Sequence, residues 1–465
     1  MHRHHASFFR KAATLVFGLL LLLTGFSSGV QAAQAPSQAE REAASGPWQD
    51  GNAPARESAA SGPVTGRPVV VTATRTEREV FEVPSSVSVV TGRQMEREPR
   101  TTIAEQLQDI PGVQVSDGGM GGGAKRVSIR CESPSRVLIL IDGMKISEQK
   151  SMDGSMIMID PLNIERIEVI KGPASVLYGS EAIGGVVNII TKKGGERPVQ
   201  GAAAVTFNTS NESVTPYASL YGTYKGFSYR ISGDYTDAGN KHGGSGTIED
   251  SDYLQRNMSA YLDYSWGSGR IGAGYDHFWS NISIPGAVSG GAEVELHLPK
   301  WQRDRAYAFF EQEKISDVLQ KVKLTGFMRR TKKDFWNDIS VNQRIPMGSM
   351  YGVLDVWQHP YTRNEQKTWG VNLQTDWTLG DHYIIAGVDY LYDDLEAKDE
   401  RQGRTSMQIY NPAGIPMGSP TVSSTYNLYN YDGHQQTVAL FIQDEWTFHP
   451  DWTATFGLRQ TWLRS

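Results

Sequence analysis

The sequence predicts a mostly β chain: an antiparallel transmembrane β-barrel preceded by a compact α+β domain. Three observations predict it. Past a secretory leader, no apolar run approaches the 18 residues that a membrane-crossing helix needs. From about residue 199, apolar and polar residues alternate in segment after segment, with aromatics recurring at segment ends. The connections between those segments alternate short and long, as expected where tight turns lie on one side of a membrane and long loops on the other.

The elements follow in chain order. Residues 1–33 read as a signal peptide. Arg3, Arg10 and Lys11 precede the short apolar run "LVFGLLLLL", and cleavage fits after Ala32, Ala33 or Ala35. No cysteine stands there to carry a lipid anchor; Cys131 is the single cysteine of the 465-residue chain, so no intrachain disulfide forms. Residues 34–66, rich in Ala, Ser, Gly and Pro, read as a flexible linker. The segment 67–79, "RPVVVTATRTERE", is strand-forming by composition, with no strand partner before it.

Residues 80–195 read as the α+β domain. "SSVSVV" is a strand. Thr102 and Glu105 have capping-box spacing before Ile103, Leu107 and Ile110, and Pro111-Gly112 ends that helix. "RVSIR", "RVLILIDG" and "IERIEVI" are strands, the second closed by an Asp142-Gly143 turn. "GPASVLYGSEAIGG" is a short, turn-rich helix and "VVNIIT" a final strand. Residues 196–465 supply the barrel wall. In "FSYRISGDY", Phe227, Tyr229, Ile231 and Tyr235 oppose Ser228, Arg230, Ser232 and Asp234. Short turns are expected at 225–226, 267–269, 313–318, 379–381 and 449–451. Long polar loops are expected at about 237–255, 280–304, 331–366 and 394–435. About eleven strands result, an odd number that an up-and-down barrel cannot close, so a partial wall is expected.

The stretches "VVVTATRTE", "TTIAEQLQDIPGVQV", "RVSIR", "RVLILIDGMKI" and "IERIEVIKGPASVLYGSEAIGGVVNIITKKGG" resemble the TonB-dependent outer-membrane receptors. The resemblance implies a plug domain inside a 22-stranded barrel, about half of which is present here. It implies active transport of an iron chelate, a ferric siderophore or haem, across the outer membrane of a Gram-negative bacterium. TonB, with ExbB and ExbD, would be the energy partner, and lipopolysaccharide, colicins or phages further partners. Cobalamin or another metal chelate, a passive adhesin or porin-like protein, and a truncated, non-transporting product are the alternatives. Val69, Val70, Val71, Thr72, Ala73 and Thr74 match the TonB box, a strand-former that can add to the edge of a partner's sheet. Arg130, Lys171, Glu165 and Arg166 match positions that join plug to wall. Lysine at 171 and Cys131 depart from the family's usual arginine and glycine; a buried thiol is expected.

The remaining signals are weaker. Met120, Met144, Met152 and Met156 fall in plug segments that face either ligand or wall. His242, His277, His297 and His359 fall in or beside the expected external loops. Arg329, Arg330, Lys332 and Lys333 form a basic cluster suited to an anionic chelate or lipopolysaccharide phosphate. Gly119–Ala124 matches a dinucleotide fingerprint, but a strand, not a helix, follows it. No nucleophile elbow, zincin motif or phosphate loop is present, so no catalytic or metal site is expected and the chain reads as a non-enzyme without a cofactor. With a net charge of −6 and mixed signs, nothing suggests a nucleic-acid partner.

Overall fold

The computed structural model describes residues 85–465, apart from 99, 101, 117–124, 147–158 and 290–291, together with Arg75 and the backbone of 69–70 and 78–79. The signal peptide, the linker, Val71–Thr74, Met120, Met152 and Met156 lie outside the described residues. At the front, β1 (Val69–Val70) pairs antiparallel with β2 (Arg78–Glu79). Val69–Val70 of the strand-forming segment therefore have a pairing within their own chain.

The plug is built around a five-stranded sheet. β3 (Val87–Thr91) leads into α1 (Gly92–Arg97), and α2 (Ile103–Leu107) follows. Both helices are held by capping boxes, Thr91 with Gln94 and Thr102 with Glu105. Next come β4 (Val113–Ser116), β5 (Arg126–Ile129), β6 (Val137–Ile141), β7 (Met144–Lys145) and β8 (Ile164–Lys171). α3 (Ser175–Tyr178) and β9 (Gly185–Thr191) complete the domain. The sheet order is β3-β8-β9-β6-β7, with β6 and β9 parallel and the other pairs antiparallel. All five residues of β6, "VLILI", are buried, as a strand covered on both faces requires. Between β6 and β7, Asp142 (φ 52°) and Gly143 (φ 78°) form the two-residue turn that their sequence predicts.

Eleven strands form the wall: β10 (Gln200–Asn208), β11 (Ser213–Tyr224), β12 (Phe227–Ala238) and β15 (Tyr253–Trp266), then β16 (Gly269–Ser289) through β22 (Trp452–Arg464). Each pairs antiparallel with the next in chain order; β13 (Lys241–Gly243) and β14 (Gly246–Ile248) are a small hairpin in the β12–β15 connection. The wall is turned inside out relative to a water-soluble sheet. Phe227, Ile231, Leu262, Leu440 and Ile442 are exposed, while Arg230, Arg305, Arg329 and Asp376 on the opposite face are buried. Plug contacts reach strands from β12 to β22 on that polar face, so the sheet curves around the plug.

Three of the expected loops are largely strand instead. β17 (Ala292–Glu313), β18 (Leu319–Met347), β19 (Met350–Leu379), β20 (His382–Tyr410) and β21 (Pro416–His449) continue as long paired hairpins through 292–304, 331–366 and 394–435. Beyond the apolar band both faces of a strand meet water. Alternation is then not required, and a polar strand reads as loop in the sequence.

Candidate functional site

Where plug meets wall, wall arginines reach inward to plug acceptors. Their side chains are the polar members of the alternating strands, so the alternation that makes the outer face apolar also sets these groups facing the plug. Arg305 on β17 donates from Nη1 to the Ile141 carbonyl at 2.9 Å and from Nε to Asp276 at 2.8 Å. Its Nη2 lies 3.6 Å from the Asp142 carboxylate. Arg329 on β18 donates to the Lys145 carbonyl at 2.9 Å and to Thr368 at 3.0 Å. Arg230 on β12 donates to Asn163 at 3.3 Å, and Asn163 donates to Ser259 at 2.9 Å.

Asp142 is the plug's anchor in this set. Its carboxylate accepts from the Thr191 amide at 3.0 Å and sits 3.1 Å from Lys193. Burial pushes its pKa up, but Lys193, Arg305 and the Thr191 amide together hold it below the usual carboxylate range. Lys193 in turn lies over the Tyr261 ring at 4.5 Å.

On the β19–β22 side the seam is apolar and encloses a second charge cluster. Leu138, Leu140, Ile170, Leu177, Tyr178, Ala182 and Val186 of the plug pack with Ile385 and Phe441 of the wall. α3 approaches β22 so closely that a Cβ at Gly457 would lie 2.6 Å from Val176. Within this cluster sits Arg75, the first described residue after Val70, with φ 56°. Its guanidinium lies 4.7 Å from the Tyr178 ring centroid, 4.4 Å from that of Phe441 and 3.6 Å from Asp389. It donates to the Leu177 carbonyl, and its own carbonyl accepts from Gln374 at 3.3 Å. Asp389 also pairs with Arg459 at 2.8 Å. Lys145 nearby is held below the usual lysine range, first by burial, with Arg459 and Arg75 adding to it against the opposing pull of Glu181 and Asp389.

The four plug positions singled out in the sequence are placed differently from these contacts. Arg166 pairs with Glu165 at 2.6 Å and with Glu168 at 2.8 Å, all on β8. Arg130 is exposed at φ 51°, and Lys171 is half-buried. Met144 is buried with Tyr261 and Tyr307 of the wall, so its thioether fills the seam and is not presented to solvent. The expectation of a buried Cys131 is overturned: the thiol is exposed, at φ 64°, a left-handed conformation that favours the glycine usual there. Of the side chains that cross the seam, Arg230 was visible as a charged member of the alternation; Arg329, expected in an external basic cluster, is instead buried against the plug, and Arg305, Arg459 and Arg75 were not singled out, since nothing in a stretch such as "TRTE" signals burial.

Among the expected external histidines, His277 contacts Asp304 at 2.7 Å and His359 contacts Asp338. The ring of Trp336 lies between those of His297, at 5.3 Å, and His359, at 5.7 Å. His242 contacts Thr247 at 3.1 Å in the small hairpin. In the basic cluster, Arg330 and Lys332 are paired with Glu365, at 2.7 and 3.5 Å. No group of three or more metal-ligating side chains occurs among the described residues.

Residues 79–186 match the family model described as TonB-dependent Receptor Plug Domain. Residues 79–186 therefore form a plug domain of the TonB-dependent receptor kind. The vitamin B12 transporter BtuB of Vibrio vulnificus (strain YJ016) is 40% identical over 127 residues, 27% of this chain and 21% of that protein. The ferric enterobactin receptor PirA of Pseudomonas aeruginosa is 34% identical over 176 residues, 35% of this chain and 23% of that protein. These matches span about a fifth of the relatives' own length. The crystal structure of BauA, the ferric preacinetobactin receptor of Acinetobacter baumannii, has the same fold. At 14% identity and a TM-score of 0.52, it covers 85% of this chain and 70% of that one. The TonB-dependent receptor plug is thus seated here against the polar face of a wall of the matching fold.

Proposed function

We propose that this protein is an outer-membrane, TonB-dependent receptor that takes up an iron chelate, a ferric siderophore or haem. The observation that carries the reading is the placement of Arg75. The residue that follows the TonB-box core is clamped between plug and wall, so tension on the box arrives first at the seam that has to loosen. Energy would come through TonB with ExbB and ExbD, which would engage Val69–Thr74 by adding them to a sheet edge in place of the short β1–β2 pairing. The apolar outer face suits a lipid surface, and the charged groups above it suit lipopolysaccharide. The relatives, a ferric enterobactin receptor and a vitamin B12 transporter, make cobalamin the second reading, supported by the 40% identity to the B12 transporter over 127 residues.

Deleting Val69–Thr74 should abolish energy-dependent uptake while surface binding of the chelate stays intact. Growth on a panel of sole iron sources, with B12-dependent growth alongside, separates the two ligand readings. Uptake that survives the deletion, or that needs no proton gradient, would contradict both.

A further inference from the structure

One contact in the seam joins like charges. Asp160 opens the short 3-10 turn at Pro161–Asn163; its Oδ1 accepts from the Leu162 amide at 3.0 Å. Its Oδ2 is buried and finds no hydrogen-bond donor in the structure, although the residue is only 5% exposed. The group it meets is the carboxyl of Asp234 on β12. That carboxyl is held by Asn257, which donates to its Oδ2 at 2.8 Å. The two carboxyls line one cavity between plug and wall, about 20 Å³ in volume, enough for a single water-sized particle.

Each carboxyl thus has one oxygen held by an N–H, and the pair faces itself. Two carboxylates cannot hydrogen-bond without a proton between them, and two buried like charges repel. Two of the surrounding basic groups, Lys192 and His277, have other acidic partners. Lys192, from the plug, pairs with Glu96 at 2.8 Å. On the wall side of the cavity, His277 contacts Asp304 at 2.7 Å and Asp276 is taken by Arg305. Arg303 is buried, with its guanidinium 6.0 Å from the Phe278 ring centroid. Asn163, Ser232 and Ser259 satisfy one another and Arg230.

We propose that Asp160 and Asp234 are a proton-binding pair bridging plug and wall, one carboxyl donating to the other, and that deprotonation of the pair loosens the plug. Burial, opposed by the Leu162 amide, the Asp234 contact and Lys192, pushes Asp160 up to about 6. The sign follows from linkage. A carboxyl whose pKa is higher in the docked state contributes stability that is complete below its free value of 3.8 and is lost as pH rises; the pair's first proton leaves Asp160 through about 6, and the shared proton leaves only above that. The plug's opening equilibrium should therefore grow by on the order of 10- to 100-fold between pH 4 and pH 7.

The test uses the full chain reconstituted in lipid. Opening is read from hydrogen exchange of the β8 and β9 amides, corrected for its intrinsic pH dependence. Wild type should show the rise. Asp160→Asn keeps the acceptor for Leu162 and puts an amide donor where Oδ2 stood, so it should flatten the profile and be better protected than wild type at pH 7. Asp234→Asn should do the same, and it carries the test if the first variant does not fold. A flat wild-type profile, or variants that retain its slope, would overturn the proposal. So would protection of wild type by millimolar Ca²⁺ that is absent in Asp160→Asn, which would make the pair a metal site. None of these readouts depends on transport, so the result stands apart from the uptake experiments.

Discussion

Asp389 holds the Arg75 end of the seam together. Two guanidiniums, those of Arg75 and Arg459, converge on it, and its side chain is only 12% exposed. Removing one partner of a buried pair costs most when the remaining charge is stranded. Arg75→Ala leaves Asp389 with Arg459 and should destabilise docking by about 1–2 kcal/mol, below the ~3–5 kcal/mol of a fully broken buried pair. Asp389→Ala strands both arginines beside Lys145 and should reach that larger range, about 3–5 kcal/mol. Protease sensitivity of the plug in the reconstituted protein orders the two; the reverse order would remove Asp389 from this role. None of this was legible in the sequence, where Arg75 and Asp389 are 314 positions apart (389 − 75) and neither lies in a motif that points to the other. The Asp142-Gly143 turn, by contrast, was readable because the sequence itself encodes two successive positive-φ residues.

The regular elements differ in how plainly they were written. The strands of the lower wall were legible because one face of each meets a contrasting medium, so period-2 alternation is enforced, whereas β6 of the plug, buried on both faces, was legible as a continuous apolar run. Both capping boxes satisfy the local rule, and the one at Thr102 was read from it. The upper hairpins of β16–β21 escaped because no such contrast exists where both faces are wet. Packing between elements was not legible either. The approach of α3 to β22 depends on the missing side chain of Gly457, and the glycine reveals its purpose only beside Val176. Gly457→Val should push α3 off the wall and raise exchange at the α3 amides by about tenfold or more, following the ~1–3 kcal/mol cost of overpacking. The same substitution at Gly326 on β18, where a Cβ meets nothing within 4 Å, should leave them unchanged. Equal effects at both sites would mean that strand propensity, and not contact, decides.

The whole molecule is organised by one inversion: apolar side chains outside and charges inside, with a conventional hydrophobic core within the plug around Leu107, Ile129, Ile164 and Ile189 and a smaller apolar cluster in the wall around Phe278, Ile282 and Trp301. That inversion predicts opposite tolerances for the two faces of one strand. Leu440→Arg, on the exposed face of β21, should cost about 2–4 kcal/mol of folding into a bilayer if it sits near the midplane. Gln443→Arg, three residues on and facing inward among polar groups, should cost much less. Folding yield into lipid vesicles against urea measures both, and equal losses would refute a lipid-facing exterior.

The length of the upper hairpins bears on what other bodies meet. A strand of 34 residues such as β21 extends roughly 110 Å at ~3.3 Å per residue, several times the 9–11 tilted residues that a bilayer occupies. In the proposed orientation the surplus stands above the lipid as a hydrogen-bonded palisade. A phage tail or an antibody would then touch a stiff lever, and a push at its rim would be felt at the foot, where Arg75 sits.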